Sequence, residues 1–378
     1  AALRPVPYNT LPGWAVGTQA GALPALRRGC DRLLRSPEAG DIGSVLIQVR
    51  RADWAAACRV LESAATDATA RALLQRHFTA FAVLDMTDGS PRDQGLFTGY
   101  FEPQLRGARQ PDARYRYPLY TRPDDLAVID LALFGEDLPA RRLTGMFRDG
   151  AVVPYHTRAV IDAGALNGRG LELAWLEDPV ELFMLHVQGS GRIILPDGTM
   201  MRVGFAAHNG HAYRSIAGHL LRTGELPPGA ASWRGIRNWI NGDDERAATL
   251  FAVNPRYIFF RELIGEGPIG SMGVPLTPER SLAVDTRLIP QGAPVWLDSL
   301  EPGMNPGPLR RLMVAQDSGA AITGAVRGDV FWGHGPEARR KAEGMSSRGR
   351  YFLLLPNSVA ARLMERIGPD GLVRLSGN

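Results

Sequence analysis

The chain has 378 residues, 45% of them hydrophobic and 22% charged, with a formal net charge of +4. This is the balance of an ordinary globular protein, long enough for two domains or for one large domain carrying insertions. No run approaches eighteen consecutive apolar residues, no basic block with interleaved aromatics forms a nucleic-acid stripe, and neither a strand-G-x-G-x-x-G-helix unit nor a P-loop is present; a membrane-spanning helix, a nucleic-acid partner and a dinucleotide or nucleoside-triphosphate enzyme are all disfavoured.

The opening stretch, AALRPVPYNTLPGW, lacks a basic n-region and an apolar h-region, so it is not an intact signal peptide; a mature chain would read the same way. Two segments, 21–36 and 51–81, then place apolar residues at helical spacing. Each carries one of the two cysteines, Cys30 and Cys58. Two buried thiols on facing helices, or a disulfide in an oxidising compartment, both fit. From Asp85 the pattern turns to loop residues followed by the aromatic run LFTGYFEP, and 106–178 reads as short strands broken at proline.

Residues 180–216 read as a hairpin: an apolar run, Gly-Ser-Gly, a second run, Pro-Asp-Gly-Thr and a third. Helical patterns return at 213–226 and 233–255. Strands and turns then dominate until a short closing helix near 358–368. Helices first and β-rich stretches afterwards predict an α+β chain with barrel-like β cores.

For chemistry, Gly189-Ser190-Gly191 does not fit the G-x-S-x-G of a nucleophile elbow. His208 and His211 have no neighbouring acid to complete a metal set, and there is no C-x-x-C, so no metal is expected. Carboxylates remain. In RLMVAQDSGAAITGAVRGDVFWGHG, residues 311–335, Asp317 and Asp329 each border an apolar strand-like run among small residues. Turn chemistry explains such pairs. So does a catalytic pair: an aspartate with an ordinary pKa of about 3.9 stays protonated near neutrality only if desolvated or set beside another carboxylate. Phe331, Trp332, Tyr100 and Phe101 are aromatics on which a sugar could stack.

The blocks LFTGYFEP, YPLYTRP, ELFMLHVQGSGRI, RVGFAAHNGHAYRSI, NPRYIFFRE, VPLTPERSLAVD, the 311–335 stretch and RYFLLLP follow one another from about residue 95 to 356. In content and order they resemble the MltA family of membrane-bound lytic murein transglycosylases. The resemblance implies a mainly β fold with N-terminal helices. A double-psi β-barrel main domain, 1–104 with 263–378, would be interrupted by a smaller β-barrel domain, 105–262, with a glycan groove between them. It implies Asp329 as the single acid and base and Asp317 as the neighbouring aspartate. Gly99, Tyr100, Gln188, Ser190, Asn209, Tyr213, Arg280, Ser281 and Trp332 would contact substrate.

The reaction implied is cleavage of the β-1,4 bond between MurNAc and GlcNAc with formation of 1,6-anhydromuramoyl ends, without cofactor or metal. A hydrolase or a non-catalytic glycan-binding protein is the alternative. The implied partner is peptidoglycan. The implied location is the periplasm, attached to the outer membrane, with any lipid anchor upstream of Ala1. Ser318 and Ala320 depart from the family's usual threonine and glycine.

Overall fold

The computed structural model describes residues 1–36, 42–135, 139 and 141–375. The protein is built mainly of β-sheets with some helices, in two compact units: Ala1–Phe101 together with Glu266–Asn378, and Glu102–Gly265.

Six strands organise the first unit: β1 (Gly95–Glu102), β2 (Ser281–Val284), β3 (Pro294–Leu300), β4 (Pro308–Asp317), β5 (Arg327–His334) and β6 (Ser346–Pro356). Their hydrogen bonds run β3–β4–β2–β5–β1–β6, and β6 pairs again with β3, so the circuit returns to its start. Side chains on one shared face of these strands, among them Leu282, Val295, Leu297, Met313, Val330 and Leu353, are buried and form the core. Strand Phe78–Leu84 continues the sheet from β6, followed by Ala2–Pro5 and Val373–Arg374.

Helices follow the sequence periodicity in this unit, with one correction: the helical reading of 51–81 ends at His77, where the chain enters strand Phe78–Leu84. Leu23–Leu34 buries Leu23, Leu26, Cys30 and Leu33, and Arg51–Glu62 buries Trp54, Ala57, Cys58 and Leu61. These spacings of three and four place each set on one helical face. Each cysteine therefore lies on a buried stripe, and Cys30 and Cys58 are joined in a disulfide. The bond spans a sequence separation of 28, and closing a loop of that size in the unfolded chain is worth about 3–4 kcal/mol. Denatured without reductant, the protein is expected to titrate no free thiol, and reduction should lower unfolding stability by about that amount; two free thiols would contradict the pairing.

In the second unit, strands are ordered Ile258–Glu262, Met200–His208, Ser190–Ile194, Gln104–Ala108, Glu172–Leu176 and Tyr117–Tyr120, beside a separate sheet of Ala127–Asp130, Arg142–Arg148 and Ala151–Pro154. One expectation is corrected here. The first apolar run of the expected hairpin is a helix, Pro179–Gln188; only Ser190–Ile194 and Met200–His208 pair as a hairpin. The helix is capped by the Asp178 carboxylate, which accepts from Val180 N and Glu181 N at 2.8 and 3.1 Å. It ends at Gly189, whose φ of 78° terminates the helix in the left-handed region. Its buried Val180 and Phe183 pack with Ile216, Leu220, Ile236 and Leu250 from the helices that follow.

Candidate active site

Ala283 on β2 sits in register with Asp317 on β4 and with Asp329 on β5. Cross-strand partners project to the same face of a sheet. The two carboxyls therefore stand on one face, with only the methyl of Ala283 between them. Two strand spacings put their backbones roughly 9–10 Å apart.

Asp317 owes its orientation to a β-bulge. The β2–β4 register passes from Leu282↔Ala315 to Ala283↔Asp317, leaving Gln316 as an extra residue. Since side chains alternate, a strand without that insertion would turn Asp317 to the opposite face. Gln316 is fully buried. Its amide accepts from Ser281 Oγ at 2.7 Å and donates to Ala25 O at 2.8 Å, which pins the bulge.

The neighbouring strand β1 supplies partners from alternate positions. Thr98 Oγ1 donates to Asp329 Oδ1 at 2.7 Å, and Tyr100 OH donates to Asp317 Oδ2 at 2.8 Å. Tyr100 packs on Phe331, which lies two residues beyond Asp329 on the same strand face, with ring centroids 5.2 Å apart. Ser271 N and Ser318 N donate to Asp317 Oδ1 at 2.8 and 2.9 Å.

Both aspartates are enclosed by protein yet partly exposed, as a group that must meet a substrate has to be. Burial pushes the Asp329 carboxyl up to about 6; the Thr98 hydrogen bond and the Arg327 charge pull against it, and the Asp317 charge adds to the rise. Burial also raises Asp317, opposed by its donors from Ser271, Tyr100 and Ser318. Asp329, with one donor, is the member equipped to carry a proton; Asp317, with three, is the better held as an anion. Thr98→Val removes a donor that favours the charged form. The alkaline limb of the pH–rate profile should then move up by about one pH unit, and an unmoved limb would show that the hydroxyl does not tune this acid.

The other expected contacts divide. A Cβ on Gly99 would lie 2.5 Å from Trp332 Nε1, so Gly99 is where the strand packs against that indole. Trp332 is corrected from sugar platform to packing residue: strand alternation turns it away from Asp329, it is 4% exposed, and Arg311 and Lys341 lie over its ring at 5.8 and 5.1 Å. Arg280 is committed to Leu312 O and Thr18 Oγ1 at 3.3 and 3.0 Å, and Ser281 is fully buried against Gln316. Both side chains thus hold the frame, Ser281 out of reach of solvent and Arg280 partly exposed.

In the second unit, Asn209 is likewise corrected. It is 1% exposed, and its amide donates to His156 O and Pro255 O and accepts from Tyr257 N, each at 2.8 Å. Gln188, Ser190 and Tyr213 remain partly exposed, at a helix end, at a strand start opposite Gly204 and in the segment after Met200–His208. His208 Nδ1 accepts from Gly210 N at 2.9 Å and His211 Nε2 bonds Tyr155 O at 2.8 Å. Among the described residues no three His, Cys, Asp or Glu side chains gather to hold a metal. Sequence reasoning missed Thr98, although its place two residues before Tyr100 puts both on one strand face.

Residues 96–261 match the family model described as the MltA specific insert domain, and residues 280–355 match the 3D domain. The chain is 30% identical over 277 residues to membrane-bound lytic murein transglycosylase A of Vibrio cholerae serotype O1, covering 71% of this chain and 68% of that protein. It superimposes on the crystal structure of MltA from Neisseria gonorrhoeae with a TM-score of 0.79 and 36% identity, over 94% of this chain and 92% of that one. Against Escherichia coli MltA with bound chitohexaose the TM-score is 0.61 and the identity 27%, over 80% and 82% of the two chains. Fold and relatives together define a peptidoglycan lytic transglycosylase. The chain belongs to the MltA family of lytic murein transglycosylases.

Proposed function

We propose that this enzyme cleaves the β-1,4 bond between MurNAc and GlcNAc with Asp329 acting first as acid and then as base. The observation that carries the reading is a carboxyl enclosed enough to sit near 6, held by Thr98 and facing a second aspartate across one alanine. Asp329 gives its proton to the glycosidic oxygen as the C1–O bond breaks, and the bond's electron pair leaves with GlcNAc. The carboxylate so formed takes the proton of the MurNAc C6 hydroxyl, whose oxygen closes on C1. The acid is regenerated and no water is consumed. This is how one carboxyl can suffice where ordinary glycosidases use two. A tethered hydroxyl in attack geometry can gain about 7–11 kcal/mol over an external nucleophile. Asp317, supported by Tyr100, sets the neighbouring negative charge.

In this reading the closed six-strand circuit is a double-psi β-barrel, and the Glu102–Gly265 unit is the inserted domain, supplying glycan contacts through Gln188, Ser190 and Tyr213. The chitohexaose complex of the Escherichia coli relative supports a β-1,4-glycan ligand. The disulfide suits an oxidising compartment and relatives are called membrane-bound; both support reading the enzyme as periplasmic and held at a membrane, in this proposal the outer one. No described helix is long and apolar enough to cross a membrane. The test is digestion of purified peptidoglycan followed by mass spectrometry of the sugar ends. Anhydro ends, lighter by one water than hydrolytic ends, support the reading, and reducing ends overturn it.

A further inference from the structure

Resting on that role for Asp329, we infer that Arg327 is a positioning residue which, through Thr98, fixes which oxygen of Asp329 carries the catalytic proton. Arg327 and Asp329 alternate on β5 and so share a face. Arg327 Nη2 donates to Thr98 Oγ1 at 2.9 Å, and Thr98 Oγ1 stands 2.7 Å from Asp329 Oδ1. A guanidinium can only donate. The threonine oxygen is therefore an acceptor towards Arg327, and its single O–H proton is directed to Asp329 Oδ1. That oxygen becomes a fixed acceptor.

No hydrogen bond from the described residues reaches Asp329 Oδ2, which is thus the oxygen left to hold the proton and hand it to the sugar. The guanidinium is itself held: its Nη1 bonds Leu96 O at 3.3 Å and also Gly328 O. Those two carbonyls and the threonine place its charge on the Oδ1 side of the carboxyl. The charged and titratable groups facing Asp329 are Arg327 from its own strand, Asp317 from β4 and Tyr100 from β1. Among these only Arg327 is a cation, so the bias towards a proton on Oδ2 is this residue's to supply.

The experiment compares Arg327→Met, Thr98→Val, the double variant and Arg327→Lys by kcat, KM and pH profile on purified glycan strands, with unfolding midpoints as the check on folding. Each single variant is expected to lose about tenfold in kcat with KM little changed, and the double variant to be no worse than about tenfold, because the two residues act as one unit. Arg327→Met should also move the alkaline limb upward, since a nearby cation favours the ionised carboxylate. Arg327→Lys, still a donor and a cation, should restore the limb and part of the rate.

A merely structural arginine would lower activity equally at every pH and leave the limb in place; that pattern, losses that multiply in the double variant, or a wild-type kcat in Arg327→Met each overturn the proposal. Asp329→Asn run alongside separates the two readings. If it still cleaves, the acid itself is misassigned; if it is inactive while Arg327→Met matches wild type, only the part given to the arginine falls.

Discussion

Asp329→Asn is expected to end glycan cleavage while making the protein more stable at neutral pH. A positioned general acid contributes about 10²–10⁴-fold, and here one carboxyl serves both proton transfers, so a loss of about 10³-fold or more follows. The stability gain follows from the sign of the shift. In the folded enzyme the carboxyl sits at about 6, against an ordinary 3.8. Between those values the folded state binds more protons than the unfolded one, so stability falls as pH rises through the interval.

Above it, the buried charge costs up to about 3 kcal/mol, which an uncharged amide of the same shape escapes. Below about pH 4 both folded and unfolded carboxyls are protonated and the advantage vanishes. Urea unfolding of both proteins at pH 4 and pH 8 checks this. A variant no more stable than wild type at pH 8 would mean that the carboxyl is well solvated, which removes the basis for its role as an acid.

Gly95→Ala is expected to unfold the catalytic unit. Gly95 starts β1 and lies opposite Gly349 on β6. A Cβ there would stand 1.6 Å from the Val326 carbonyl oxygen and 2.6 Å from its carbonyl carbon. Those are backbone atoms at the foot of β5, so relief requires the strands carrying Thr98 and Asp329 to part. The cost should exceed the usual overpacking range, at more than about 3 kcal/mol. Gly99→Ala is the contrast. A Cβ there would lie 2.5 Å from the Trp332 indole and 2.9 Å from Ala342 Cα, milder than the 1.6 Å approach at Gly95, and about 1–3 kcal/mol is expected. Equal midpoints for Gly95→Ala and wild type in thermal unfolding would contradict the strand packing described above.

How much of this could be read from the chain depends on the range of the interaction. The two cysteine-bearing helices were legible, because a stripe at three- and four-residue spacing is a local signal. So were Asp317, Asp329 and Tyr100 as members of one constellation, through the resemblance of their blocks. What the sequence hid is long-range or subtle. An apolar run such as ELFMLHV fits a helix or a strand equally, and the capping Asp178 and terminal Gly189 decide it. Trp332 is adjacent to Phe331, and only the pleat reveals that they face opposite ways. The bulge at Gln316 has no signature of its own; it exists because Ser281 and Ala25, far apart in the chain, hold one amide. Asn209 looked like a ligand contact because nothing local betrays that three backbone groups use up its amide.

The hydrogen bond between Thr98 and Asp329 joins positions 231 residues apart, and β6, which closes the circuit, ends at Pro356. Such distant pairings form late, since the intervening chain must be gathered first. The chain through Asp329 must therefore be made before the carboxyl has its threonine, and a copy that stops short of β5 carries no assembled active site. A cell that builds an enzyme against its own wall gains from that order of events: cutting power arrives only once β5 and β6 have joined the sheet.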